Sequence, residues 1–181
     1  MRSLAGALLL VAGLTACGGQ GDRTDAAAPP SVAASITVTS PAFAQGAAIP
    51  GEFTCRGAGT SPPLSWTGLP AGTRSVALVV EDPDAPSGTF VHWVLTGLPP
   101  QQHDLPAGTV PDGAVEARNS SGGVGWTPPC PPSGTHRYRF TVHALDRPVD
   151  VPRGADPDYA IRAVRGASVA WGTLTGTVAA G

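Results

Sequence analysis

The chain has no lysine. All eleven of its basic residues are arginine, set against thirteen acidic residues for a net charge of −2. The plain reading of that bias, together with abundant Ala, Gly and Pro, is a GC-rich genome rather than a function. No basic run occurs anywhere, so nucleic acid is not an expected partner. No apolar run reaches the roughly 20 residues that a membrane-crossing helix needs. There is no HxH or HExxH spacing, which argues against a zinc hydrolase. Ser133 has a histidine nearby, but it sits in a Pro-Pro-Ser-Gly turn without the pattern of a nucleophile elbow. There is no internal repeat. The 24 glycines and 20 prolines, spread along the chain, leave little room for long helices.

What is present begins with a leader. Arg2 is the lone charge before an apolar run from Leu4 to Leu14, the length of a signal-peptide core. The run ends in Leu14-Thr15-Ala16-Cys17 followed by Gly18-Gly19, which resembles a bacterial lipobox. Residues 1–17 are therefore expected to be a lipoprotein signal peptide. Cys17 is the expected lipidation site, and an ordinary secretory signal with a chance cysteine is the alternative. Two or three acyl chains on such an end would anchor it stably to a membrane, giving an extracytoplasmic protein of the cell envelope. Residues 18–35, rich in Ala, Pro and Gly, cannot bury a core and read as a flexible tether. Residues 36–181 then form one domain of ordinary size. With Cys17 set aside, Cys55 and Cys130 remain as an even pair in an exported protein. A disulfide between them is the expectation, with free thiols as the alternative.

The domain is punctuated by short apolar runs: Ser35 to Thr39, Ser75 to Val80, Phe90 to Leu95 and Tyr138 to Leu145. Their Val, Thr, Phe and Trp content predicts strands. Val76 to Val80 is apolar on both faces, as in a central strand covered on both sides. Asp156 to about Ala170 is different: Ala160, Ile161, Ala163, Val164, Ala167 and Val169 follow an Asp156-Pro157 start that looks like a helix cap with proline in the first turn. A short helix is predicted there. The fold class is mainly β, a two-sheet sandwich with a short helix near the C-terminus.

Three stretches carry the chemistry. Asp82-Pro83-Asp84-Ala85-Pro86 follows a buried-strand pattern, and its prolines restrict the loop that holds two carboxylates. In Phe90 to Leu95, alternation places Phe90, His92 and Val94 on one face and Val91, Trp93 and Leu95 on the other. A histidine in so apolar a strand needs partners, because burying its polar atoms unpaired is costly. In His136-Arg137-Tyr138-Arg139-Phe140, the residues His136, Tyr138 and Phe140 share a face, with His136 and Tyr138 about 6–7 Å apart along the strand. Each motif alone is as compatible with a capped turn or a satisfied core histidine as with a site.

Taken in order, these motifs resemble the phosphatidylethanolamine-binding protein (PEBP) family, and within it the bacterial Raf-kinase-inhibitor-like branch. The resemblance rests on Asp82 to Pro86, the His92 strand, Cys130-Pro131-Pro132-Ser133-Gly134 and His136-Arg137-Tyr138. It is supported by Ser61 to Trp66, Pro70 to Ser75 and Phe140 to Asp146, and it covers about Ile36 to Thr177. It implies a PEBP-like antiparallel β-sandwich with one small anion pocket lined by Asp82, Pro86, Phe90, His92, Cys130, Pro131, His136 and Tyr138, with Asp84 bracing the loop. It implies a non-catalytic protein that binds phosphate or a phospholipid head group of the phosphoethanolamine type, without cofactor or metal. The alternative is an inhibitor or scaffold acting on an exported protein partner, and a metal-dependent hydrolase ranks last. The chain departs from the family's usual residues at Phe90, Trp126, Pro128 and Val178. At Val178, in Gly176-Thr177-Val178, the family's Gly-Thr-Tyr would place a phenol beside the pocket.

Overall fold

The computed structural model describes residues 36–181. The expected signal peptide, the expected lipidation site Cys17 and the expected tether lie outside the described residues. Ten elements follow in order: β1 (Thr37–Thr39), a 3-10 turn (Gly51–Phe53), β2 (Leu64–Thr67), β3 (Ser75–Asp82), β4 (Phe90–Leu98), β5 (Asp104–Leu105), β6 (Val115–Glu116), β7 (Thr135–Leu145), α1 (Pro157–Ala167) and β8 (Ser168–Ala179). The eight strands form two antiparallel sheets, a small one in the order β1-β2-β5 and a larger one in the order β6-β4-β3-β7-β8. The sandwich with one late helix matches the architecture predicted from the sequence.

β3 is the centre of the larger sheet, and its two faces feed two cores. Val76, Leu78 and Val80 join Trp93 and Leu95 of β4, Phe140 and Val142 of β7, and Val38, Leu64, Trp66 and Leu105 of the small sheet. Ala77 and Val79 face the other way and pack with Val91 and Val94 of β4 and with Ala160, Ile161, Val164 and Ala167 of α1. This is why a run apolar at every position is a strand here: both of its faces are dry.

α1 begins where the sequence predicts. The Asp156 carboxylate accepts a hydrogen bond from the Tyr159 N–H at 3.1 Å, and Pro157 opens the first turn. It ends three residues earlier than expected. Ser168, Val169 and Ala170 belong to β8, whose ladder with β7 runs from Ser168 to Ala179. Val169, expected on the apolar side of a helix, is 53 % exposed on the strand.

β8 carries glycine at two inward positions. A Cβ on Gly172 would lie 1.7 Å from the Ile36 carbonyl oxygen, and one on Gly176 would lie 2.5 Å from Ile49 Cγ1. The glycines let the segment before β2 approach the sheet closely, and the edge is further held by hydrogen bonds from Gly46 N to Thr175 O and from Ile49 N to Thr177 O.

Candidate functional site

Three neighbouring strands deliver the site. β4, β3 and β7 lie side by side in the larger sheet. Asp82, the last residue of β3, is paired with Phe90, the first of β4, while Glu81 is paired with Arg139 of β7. The ends of these strands therefore bring Phe90 and His92, then Asp82, then His136 and Tyr138 to one corner of the sandwich. The 127–132 segment closes the corner. Cys130 in that segment is joined to Cys55 by the expected disulfide.

A cavity of about 340 Å³ results, and all eight residues named from the sequence line it: Asp82, Pro86, Phe90, His92, Cys130, Pro131, His136 and Tyr138. Its wall also includes Ala85, Thr127, Pro128 and Pro132. Asp84 stays outside. Its carboxylate accepts from the Arg137 backbone N–H at 2.8 Å and from the guanidinium Nε at 2.8 Å, tying the loop after β3 to the start of β7. These bonds from Arg137 hold the Asp84 carboxyl well below the usual range.

Asp82 is buried, yet both of its oxygens are used. Oδ1 accepts from the Asp84 N–H at 2.8 Å, a local turn of the kind aspartate favours. Oδ2 lies 2.7 Å from Nδ1 of buried His136. A carboxylate accepts, so Nδ1 carries the hydrogen. Nε2 of His136 makes no hydrogen bond among the described residues. His92 is held in the same way: Nδ1 donates to the Thr127 carbonyl oxygen at 2.8 Å. Burial lowers the His92 pKa below its ordinary value, against the smaller opposing effects of the Thr127 carbonyl and the Asp82 charge. The Tyr138 phenol is driven strongly upward, first by burial and then by Asp82, so it remains a donor throughout the physiological range. Rings enclose His92, with Phe90 at 4.8 Å and Tyr138 edge-on at 5.2 Å between centroids.

The chain matches the family model described as phosphatidylethanolamine-binding protein over residues 39–179. The chain belongs to the phosphatidylethanolamine-binding protein family. It is 40 % identical over 185 residues to a Mycobacterium tuberculosis protein named "Putative lipoprotein LppC", covering 94 % of this chain and 92 % of that one. Among solved structures, Escherichia coli YbcL, described as a new member of the mammalian PEBP family, superposes with a TM-score of 0.78 at 30 % identity. That match covers 82 % of this chain and all of YbcL. The PEBP homolog CT736 of Chlamydia trachomatis gives 0.75 at 37 % identity, over 80 % of this chain and 97 % of its own.

Within this PEBP-family fold one expectation about facing is corrected. Val80 pairs with Trp93 but Glu81 pairs with Val91, so His92 is an extra residue bulged out of β4. Strict alternation fails there. Val91 and Val94 share the helix side, while Trp93 and Leu95 share the opposite core. Alternation holds along β7, where His136, Tyr138 and Phe140 are buried and Arg137 and Arg139 are exposed. Val178 stands opposite His136 in the β7–β8 ladder and packs in the core between the sheets, so that position adds no polar group to the cavity. Trp126 lies behind His92 rather than on the cavity wall, its indole N–H donating to the Gly59 carbonyl at 2.8 Å. Cys130 contributes a disulfide sulfur, not a thiol. Thr127 was not named from the sequence, and it acts through its backbone oxygen, which leaves no signature in residue type.

Proposed function

We propose that this PEBP-family chain is a non-catalytic binding protein whose pocket takes a phosphate or a phosphoethanolamine-type head group, and that a lipid on Cys17 holds it at the cell envelope. The observation that carries the reading is the buried Asp82–His136 pair at 2.7 Å on the wall of a cavity that also holds His92 and Tyr138. Such a set offers hydrogen-bond donors to phosphate oxygens: the phenol, and Nε2 of either imidazole when protonated. Asp82 repels a bare anion but attracts the ammonium of ethanolamine, so a zwitterion suits the pocket better than phosphate alone. The aromatic and proline walls lower the local dielectric, which strengthens each polar contact. For the envelope location, the support is the lipobox-like leader and the relative named as a lipoprotein.

The test is titration calorimetry with phosphoethanolamine and with sulfate, whose charge is constant in the range used. Burial depresses the free-state pKa of His92, and a bound anion raises it again. Binding therefore takes up a proton and tightens as pH falls from 8 to 6 and below. Equal sulfate affinity at both pH values, or phosphoethanolamine binding untouched by His136→Ala, refutes the reading.

A further inference from the structure

α1 covers only part of the outer face of the larger sheet. Beyond it, along β7 and β8, a second cavity of about 340 Å³ is lined by Glu81, Arg139, Thr141, His143, Arg165, Ser168, Trp171 and Thr173. None of these residues lines the first pocket. Trp171 stands opposite His143 in the ladder and is 62 % exposed, an unusual setting for the largest apolar side chain.

The hydrogen-bonding character of this groove is mixed. Ser168 Oγ donates to the Ala170 carbonyl at 3.3 Å, so it accepts from Nδ1–H of His143 at 3.0 Å. His143 is buried and neutral, its pKa pushed down to about 4 by burial and by the Arg165 charge. Its Nε2 is then a bare acceptor with no partner among the described residues. Glu81 offers further acceptors, and the Thr141 and Thr173 hydroxyls, 3.0 Å apart, offer both roles. Sulfate carries only acceptors, and phosphate brings only one or two P–OH donors at neutral pH, so both meet Glu81 and Nε2 less favourably than a polyol does. A ligand rich in hydroxyls, each a donor and an acceptor, satisfies every group. An exposed indole beside such groups suits the C–H face of a sugar ring. The charge is unbalanced in one direction: Arg165 is paired with Glu81 at 3.2 Å, while Arg139 makes no ion pair among the described residues. Arg139 lies four residues from His143, about 13 Å along β7, which is longer than one pyranose ring.

We propose that this groove binds an acidic oligosaccharide of at least two sugar rings, one ring stacked on Trp171 and a carboxylate of another held by Arg139. The probe is digalacturonate, with the neutral disaccharide lactose as control. Trp66 and Trp93 are buried and Trp126 is partly so, so acrylamide quenching of the intrinsic fluorescence reports mainly on Trp171. Digalacturonate is expected to protect it and lactose to protect it less. In calorimetry, Arg139→Gln and Trp171→Ala, both at exposed positions, are each expected to weaken digalacturonate binding about tenfold or more, or about 1.4 kcal/mol. Circular dichroism checks that both variants keep the parent fold. Absence of digalacturonate binding, unchanged affinity in both folded variants, or lactose binding as tightly as digalacturonate overturns the proposal.

Discussion

His143 ties the stability of the domain to pH. Its ring is buried on the outer side of the larger sheet, with Nδ1 engaged by Ser168 at 3.0 Å and the Arg165 guanidinium near enough to oppose a second charge. The pKa falls from 6.5 to about 4. A base whose folded pKa is depressed binds its proton first in the unfolded chain. Stability therefore declines as pH drops below 6.5 and stops declining, for this group, near 4. At about 1.4 kcal/mol per pH unit, that interval amounts to about 3 kcal/mol, a large part of the stability of an ordinary domain. Urea unfolding at pH 7, 6, 5 and 4, for the parent and His143→Gln, isolates the effect. His92, also depressed, is common to both proteins and cancels in the comparison. Asp84 acts at the other end: its depressed carboxyl keeps its contribution until pH falls through the ordinary carboxylate range. The parent is expected to lose about 3 kcal/mol more than the variant between pH 7 and 4. Parallel stability curves would refute the assignment of a buried neutral imidazole.

Two further outcomes follow from the first pocket. The Cys55–Cys130 bond closes a loop with a sequence separation of 75, so in the chain-entropy model reduction is expected to cost about 4 kcal/mol, read as a lower urea midpoint with reductant. Asp82→Asn removes the negative group that favours an ammonium and opposes a bare anion. It is expected to lower the ratio of phosphoethanolamine to phosphate affinity about tenfold, a difference of about 1.4 kcal/mol. Reading a ratio cancels any damage to His136 that affects both ligands alike, and an unchanged ratio refutes the role given to Asp82.

Strands whose side chains obey a strict rule were legible. Val76 to Val80, apolar throughout, marks the central strand because helix and small sheet dry both its faces. His136, Tyr138 and Phe140 alternate cleanly with two arginines. Asp156-Pro157 marks the start of α1 because a cap is a local event. The end of α1 was not legible, since Val169 and Ala170 suit a helix as well as a strand and only pairing with β7 decides between them. β8 as a whole was hidden by Gly172 and Gly176, whose missing side chains answer to Ile36 and Ile49 far away in sequence. The bulge at His92 is equally silent, because an extra residue in one strand shows only in its register with the next. For the cavity, the family resemblance supplied the grouping of side chains, whereas the Thr127 carbonyl belongs to backbone geometry alone.

The larger sheet explains how one small domain presents two chemically unlike cavities. Along β7 the period of two sends His136 and Tyr138 inward and Arg139, Thr141 and His143 outward. At the end of β3 the same rule divides Asp82 from Glu81. Each cavity thus holds one carboxylate from β3 and one or more polar groups from β7, separated by the thickness of a single sheet. The difference lies in what each carboxylate meets. Asp82 is buried against an imidazole and fixed by a turn, so its charge is held in place and counts strongly at short range. Glu81 pairs with Arg165 at a more open surface beside Arg139, unpaired among the described residues, where water screens the charges and hydrogen-bond direction matters more than net charge. A compact charged head group fits the first arrangement, and an extended hydroxyl-rich ligand fits the second.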